Sequence, residues 1–153
     1  MHRVLFLYNS PRVRRYFATL AAQLPDPSLP GLQCWVRRVG VALWPAAVPA
    51  ATVEAIIEYG MRRKRARGSY GSLRLGFYRA LYRFAARAHY RFTLALLQRW
   101  QPAVVCVWGG NSVDVMAVVM AARATGTPCI RFENGFLPDT TQMDASGVNA
   151  ESS

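Results

Sequence analysis

The sequence predicts an α/β fold: an open, mostly parallel Rossmann-like sheet with a long helical insertion. Three observations carry that reading. Four short apolar runs, at residues 4–8, 32–41, 103–108 and 129–132, have strand length and lack a helical period. Segments with helical spacing separate them, so the order is strand, helix, strand, long helical insert, strand, helix, strand, the alternation of a parallel sheet. Turn signals follow three of the runs: Asn9-Ser10-Pro11, Gly109-Gly110-Asn111-Ser112 and Glu133-Asn134-Gly135. In such a sheet these turns share the carboxyl edge of the strands, where ligands bind.

Val4 to Tyr8 reads as a buried strand. Ser10 is placed to cap a helix whose first residue is Pro11, since proline's missing N–H costs nothing there. Val13, Tyr16, Phe17, Leu20 and Leu24 then recur at helical spacing, and Pro25, Pro27, Pro30 and Gly31 break the pattern. Leu32 to Val41 is the second strand, and a Pro- and Ala-rich connector runs from Leu43 to Ala51. Thr52 to Arg67 reads as a helix with Val53, Ile56, Ile57 and Met61 on one side. Gly68 to Gly71 is a turn. Ser72 to Gln101 is one long helix or a broken pair, ended by Pro102. Ala103 to Trp108 has the continuous apolar pattern of a strand buried on both faces. Gly109 to Ser112 leads into a helix over Val113–Thr125, which Gly126-Thr127-Pro128 ends. Cys129 to Phe132 is the last predicted strand, with Glu133 at its carboxyl end.

Charge is distributed very unevenly. Residues 1–132 hold all 19 Lys and Arg against four acids, whereas residues 133–153 hold four acids and no base. The net charge of +11 implies an anionic partner: nucleic acid, acidic lipid or a phosphate-bearing substrate. An apolar fraction of 52% in 153 residues supports one domain with a real core and excludes wholesale disorder. Three cysteines (Cys34, Cys106, Cys129) without metal spacing read as reduced structural thiols. The N-terminus lacks the apolar run of a signal peptide, and no uncharged stretch approaches the ~20 residues that span a bilayer. These features predict a cytoplasmic protein, with attachment to a membrane surface left open.

No Gly-x-Gly-x-x-Gly follows the first strand, so the dinucleotide fingerprint is missing. Gly109, Gly110 and Asn111 stand where backbone N–H groups at a helix start meet a phosphate or sugar oxygen; an ordinary strand-to-helix turn has the same look. Arg79, Arg83, Arg87 and Arg91 recur every fourth residue beside Phe77, Leu81, Phe84 and Ala88. That stripe is either a solvated face or a surface for membrane and other anions, and the neighbouring cluster at residues 62–67 raises the second reading. His2 and His89 have no companion at ligand spacing, so no metal site is predicted. Glu133 and Asp144 are the carboxylates best placed for chemistry. Glu133 emerges from an apolar strand with partial desolvation, and Asp144 lies among Gly135, Pro138 and Gly147, which turn the backbone tightly. Glycosyl transfer needs such a pair, one to meet the sugar cation and one to manage the proton; two solvated loop acids have the same look in the sequence.

The run Glu133-x-Gly135-Phe136-Leu137-Pro138-Asp139, then Thr141, Asp144 and Gly147-Val148-Asn149-x-x-Ser152, resembles the signature of the bacterial capsule polysaccharide biosynthesis proteins, the capsular β-Kdo transferases. It covers about the last fifth of the chain. The resemblance implies retaining transfer of Kdo from CMP-Kdo to a lipid-linked glycan acceptor at the inner membrane, with no separate cofactor. It assigns Asp144 as nucleophile and Glu133 as supporting or acid/base carboxylate. Asn9, Gly109, Gly110, Asn111, Asn134, Gly135 and Asn149 are the expected substrate contacts. It also implies that residues 1–153 are the N-terminal Rossmann-like domain of two, with a basic helical insert over 52–101 and an acidic motif segment over 133–153. The resemblance further implies that the nucleotide-binding domain is not among these residues. Two competitors come from other classes: a non-catalytic accessory protein of capsule assembly or export that binds lipid-linked glycan beside other assembly proteins, and, more weakly, a basic nucleic-acid-binding domain.

Overall fold

A computed structural model describes residues 2–24, 31–43, 47–66, 71–110, 112–135, 137 and 140–144. The breaker at 25–30, the turn at 68–70, Asn111, Asn149 and much of the acidic motif segment (136, 138, 139 and 145–153) lie outside the described residues.

The strands are β1 (His2–Tyr8), β2 (Leu32–Arg38), β3 (Val104–Trp108), β4 (Cys129–Asn134) and β5 (Thr141–Asp144). The helices are α1 (Pro11–Gln23), α2 (Ala50–Ala66), α3 (Ser72–Trp100) and α4 (Val113–Ala124). They form one five-stranded sheet in the order β2-β1-β3-β4-β5. The first four strands are parallel, as predicted, and β1, β3 and β4 are neighbours. β5 is an antiparallel edge strand that the sequence reading leaves as loop. Thr-Gln-Met-Asp has no apolar alternation to reveal it; pairing with β4 creates the strand.

α1 covers one face of the sheet, and α2, α3 and α4 cover the other. On the α1 face Phe17, fully buried, meets Phe6 at 5.1 Å and Phe132 at 5.4 Å between ring centroids. On the opposite face Leu5, Leu7, Val105 and Val107 pack with Ile56, Ile57, Leu97 and Val118. α4 is apolar nearly all round because it is sandwiched between the sheet and α3. The β1-α1-β2 and β3-α4-β4 crossovers run in opposite directions from the centre, and this puts their helices on opposite faces. The chain order therefore reverses between β1 and β3.

Ser10 caps α1 through its Oγ, which accepts from the Val13 N–H at 3.4 Å, and Pro11 is the first helical residue. α3 is a single unbroken helix of 29 residues, about 43 Å long. It ends where Gln101 turns left-handed at φ 45° and donates its N–H to the Leu97 carbonyl, just before Pro102. Its buried residues, Ala86 to Leu97, all lie in the C-terminal half.

Candidate functional site

A cleft of about 500 Å³ opens at the carboxyl edge of the sheet, between the ends of β1 and β3. This is the point where strand order reverses. The chain leaves β1 and β3 toward opposite faces there, and the edge is left uncovered. Three walls enclose it. The β1–α1 turn and α1 give Asn9, Ser10, Arg12 and Tyr16; the end of β3 and the β3–α4 turn give Trp108, Gly109 and Ser112; the β4–β5 connection and the strand ends beside it give Asn134, Thr140 and Thr141.

Gly109 adopts φ +74°, a region that costs an L side chain about 1–2 kcal/mol, and its N–H donates to the Phe132 carbonyl at 2.7 Å. That bond lets the chain leave β3 and start α4 within four residues. Ser112 is the N-cap of α4, yet its side chain makes no capping hydrogen bond. The first N–H groups of α4, with their partial positive charge, therefore start beside the cleft. Tyr16 and Trp108 meet edge-on at 4.9 Å and supply the aromatic part of the lining. Gly135 is required by the β4–β5 connection: a Cβ there would overlap the Thr140 side chain, and its N–H donates to the Thr140 carbonyl at 2.8 Å. Amides, hydroxyls, one guanidinium and two aromatic rings suit a hydroxyl-rich anion such as an acidic sugar. Among the described lining residues there is no carboxylate.

The carboxylates stand on the same β4–β5 ribbon but on its other face. Arg131 is in register with Val107, whose side chain belongs to the core under α2, α3 and α4, whereas Phe132 packs under α1. Across the antiparallel pair, Arg131 faces Asp144 and Glu133 faces Gln142. Directly opposed residues share a face, and so do residues two apart. Arg131, Glu133, Gln142 and Asp144 thus form one group, with Glu133 and Asp144 as diagonal neighbours roughly 7–8 Å apart. Burial holds the Glu133 carboxyl above the usual carboxylate range, and the charge of Arg131 partly opposes this. Arg131 itself is only 5% exposed. The sequence reading passes over it; a lone charge between Ile130 and Phe132 is the signal that marks it.

Of the predicted substrate contacts, Asn9, Gly109 and Asn134 line the cleft. Gly110 is buried beside it, and Gly135 shapes it from the hairpin. The lining also adds Ser10 and Ser112, which the turn signals contain without a site role, and Arg12, Tyr16, Trp108 and Thr140, which are not among the predicted contacts. Helical spacing puts Tyr16, and the buried strand pattern puts Trp108, in the predicted core; both serve there and in the cleft.

The arginine stripe divides. Arg79 donates to Glu54 at 2.6 Å and to Glu58 at 3.1 Å, and Arg83 donates to Glu54 at 3.0 Å. Those two guanidinium groups hold Glu54 below the ordinary carboxylate range, Arg83 contributing most. Arg87 is exposed and Arg91 half-buried. Half of the predicted anion-binding stripe therefore also ties α3 to α2. Burial pushes the thiols of Cys106 and Cys129 up, to about 12 and about 11, so neither supplies a nucleophile at neutral pH.

A scan against protein-family models and a search of curated proteins both find no match to this chain.

Proposed function

We propose that this chain is the N-terminal, acceptor-side part of a retaining glycosyltransferase that passes Kdo from CMP-Kdo to a lipid-linked acceptor during capsule assembly. The observation that carries the reading is the β4–β5 ribbon. Its register sets Glu133 and Asp144 side by side around Arg131, and its turn walls a cleft with sugar-binding chemistry. In this reading an Asp144 carboxylate oxygen bonds to the anomeric carbon, and the bond to CMP breaks with its electron pair leaving on the phosphate. An acceptor hydroxyl then attacks the same carbon and gives its proton to Glu133, and the bond to Asp144 breaks. Two inversions give retention. Burial raises the Glu133 carboxyl, which makes it a better acceptor for that proton. Among the described residues no helix is long and apolar enough to cross a membrane. The reading accordingly places the chain on the cytoplasmic surface of the inner membrane, where a lipid-linked acceptor is reached.

The test is Asp144→Asn in the chain joined to a nucleotide-binding domain. Transfer from CMP-Kdo should fall by several orders of magnitude, since loss of a nucleophile commonly costs that much, while the melting transition is kept. Near-normal turnover would remove Asp144 from the role, and Glu133→Gln would be examined next. A specific observation favours a second reading, a non-catalytic glycan-binding protein: the cleft and the carboxylates occupy opposite faces of the ribbon. In that case acidic oligosaccharide should quench Trp108 fluorescence equally in the wild type and Asp144→Asn, with no transfer by either.

A further inference from the structure

α3 is much longer than the sheet needs. The Ala42 N–H donates to the Ala88 carbonyl at 3.1 Å, and His89 Nδ1 donates to the Gly40 carbonyl at 2.7 Å. Both partners follow the last residue of β2, so Ala88 marks the level of the carboxyl edge. The segment Ser72–Arg87, about 24 Å of helix, runs on beyond that level. One flank of it is covered: Leu75, Tyr78, Tyr82 and Ala85 pack against the main core, and Arg79 and Arg83 bind α2. The other flank is bare. Leu73 is 91% exposed, Phe77 67%, Leu81 47% and Phe84 60%. At 3.6 residues per turn these four fall within an arc of about 80° along roughly 16 Å of helix. They make a continuous apolar ridge rather than scattered surface residues.

We propose that Leu73, Phe77, Leu81 and Phe84 form a ridge that inserts into the headgroup boundary of an anionic bilayer and docks the chain there. The proposal rests on the membrane-side reading above for its setting and names the surface that reading lacks. Charge argues for this occupant. Arg87 is exposed on α3 three residues beyond Phe84, and the exposed Arg62 lies near the end of α2, where Lys64 sits over the Tyr78 ring at 4.2 Å and so holds that end beside the ridge. The chain as a whole carries +11. Apolar anchors flanked by cations are the pattern of a helix lying in an anionic interface. Area argues against a second copy. Large apolar side chains offer on the order of 150–200 Å² each, so at these exposures the four present roughly 500 Å², short of the ~800 Å² per partner of a standard protein interface.

The experiment is sedimentation with vesicles of phosphatidylcholine alone or mixed with phosphatidylglycerol. The wild type should bind the mixed vesicles, and the neutral ones far less. Phe77→Ser combined with Phe84→Ser should lower partitioning about 10- to 100-fold, as expected for losing two inserted rings, with its thermal transition retained because both side chains are already exposed. Arg87→Gln should lower it only a few-fold, and added salt should weaken all binding. Phe77→Trp should show blue-shifted emission on mixed vesicles. Unchanged binding by the double variant, or no binding by the wild type, would overturn the proposal. So would a dimer in sedimentation velocity that the double variant dissolves. Vesicle binding is read without turnover, so the two readings fail separately. Ridge-dependent binding with no transfer from CMP-Kdo by the wild type joined to a nucleotide-binding domain sinks only the transferase reading. Transfer to a soluble acceptor without vesicle binding sinks only the ridge.

Discussion

Arg131 sits at 5% exposure in an edge-proximal strand, opposite Asp144 and two residues before Glu133. A buried guanidinium is tolerated where carboxylates and hydrogen bonds offset its lost hydration. Its field already restrains the rise of the Glu133 pKa that burial causes. Glu133, with a folded pKa above its unfolded value, contributes stability that is full below the ordinary carboxylate range and lost as pH rises through the folded pKa. Removing Arg131 deepens that loss. Arg131→Met should therefore destabilise by about 1–3 kcal/mol near pH 7, the range for removing a charged partner from a buried site. Near pH 4 the cost should be smaller, since the Glu133 carboxyl, which burial raises, is then more protonated and opposes the guanidinium less. Urea titrations at the two pH values measure this. An equal loss at both would mean that neutral carbonyls, not carboxylates, hold the guanidinium. Glu133 and Asp144 are legible in the sequence by type and surroundings. Arg131 is not, because its role depends on a strand register that Thr141 to Asp144 do not announce.

At the scale of elements, the packing of α2 turns on one small residue. A Cβ on Gly60 would lie 2.8 Å from Val113 Cγ2 and 3.1 Å from the Tyr82 ring. The glycine thus lets α2 approach α4 and α3 at once. Alanine would gain up to about 1 kcal/mol of helix propensity, but overpacking a tight site costs about 1–3 kcal/mol. Because Val113 is buried at the start of α4 and has little room to move, overpacking should win. Gly60→Ala should lower stability by about 1 kcal/mol in denaturant unfolding; a more stable variant would show that α2 shifts freely. The existence of α2 and α3 is plain from helical spacing, and so is the apolar flank at Phe77, Leu81 and Phe84. Which arginines remain open is not plain. Glu54 and Arg79 are 25 residues apart, and only the antiparallel packing of the two helices brings them to 2.6 Å.

For the whole molecule, four apolar runs alternating with helices were enough to specify the parallel sheet and the edge that bears the cleft. The fifth strand was not visible, because its polar residues pair only once β4 exists. What the sequence does state globally is charge: 19 bases against eight acids. Such an excess opposes compaction through self-repulsion, while the Glu54 and Glu58 pairs favour it locally. Those pairs are half-exposed surface contacts, whose contributions are characteristically small. Salt screens both, with a Debye length near 10 Å at ~0.1 M, but the repulsion sums over the entire surface and should dominate. Raising sodium chloride from about 0.02 to about 0.2 M should therefore raise the melting temperature by roughly 2–4 °C, equivalent to about 1 kcal/mol for a chain of this size. The rise should shrink when exposed arginines remote from the acids, such as Arg14 and Arg15 on α1, are replaced by glutamine. A melting temperature that falls with salt would show instead that the α2–α3 ion pairs outweigh the global field. The extended half of α3 would then owe its place to Glu54 and Glu58 more than to its packed flank.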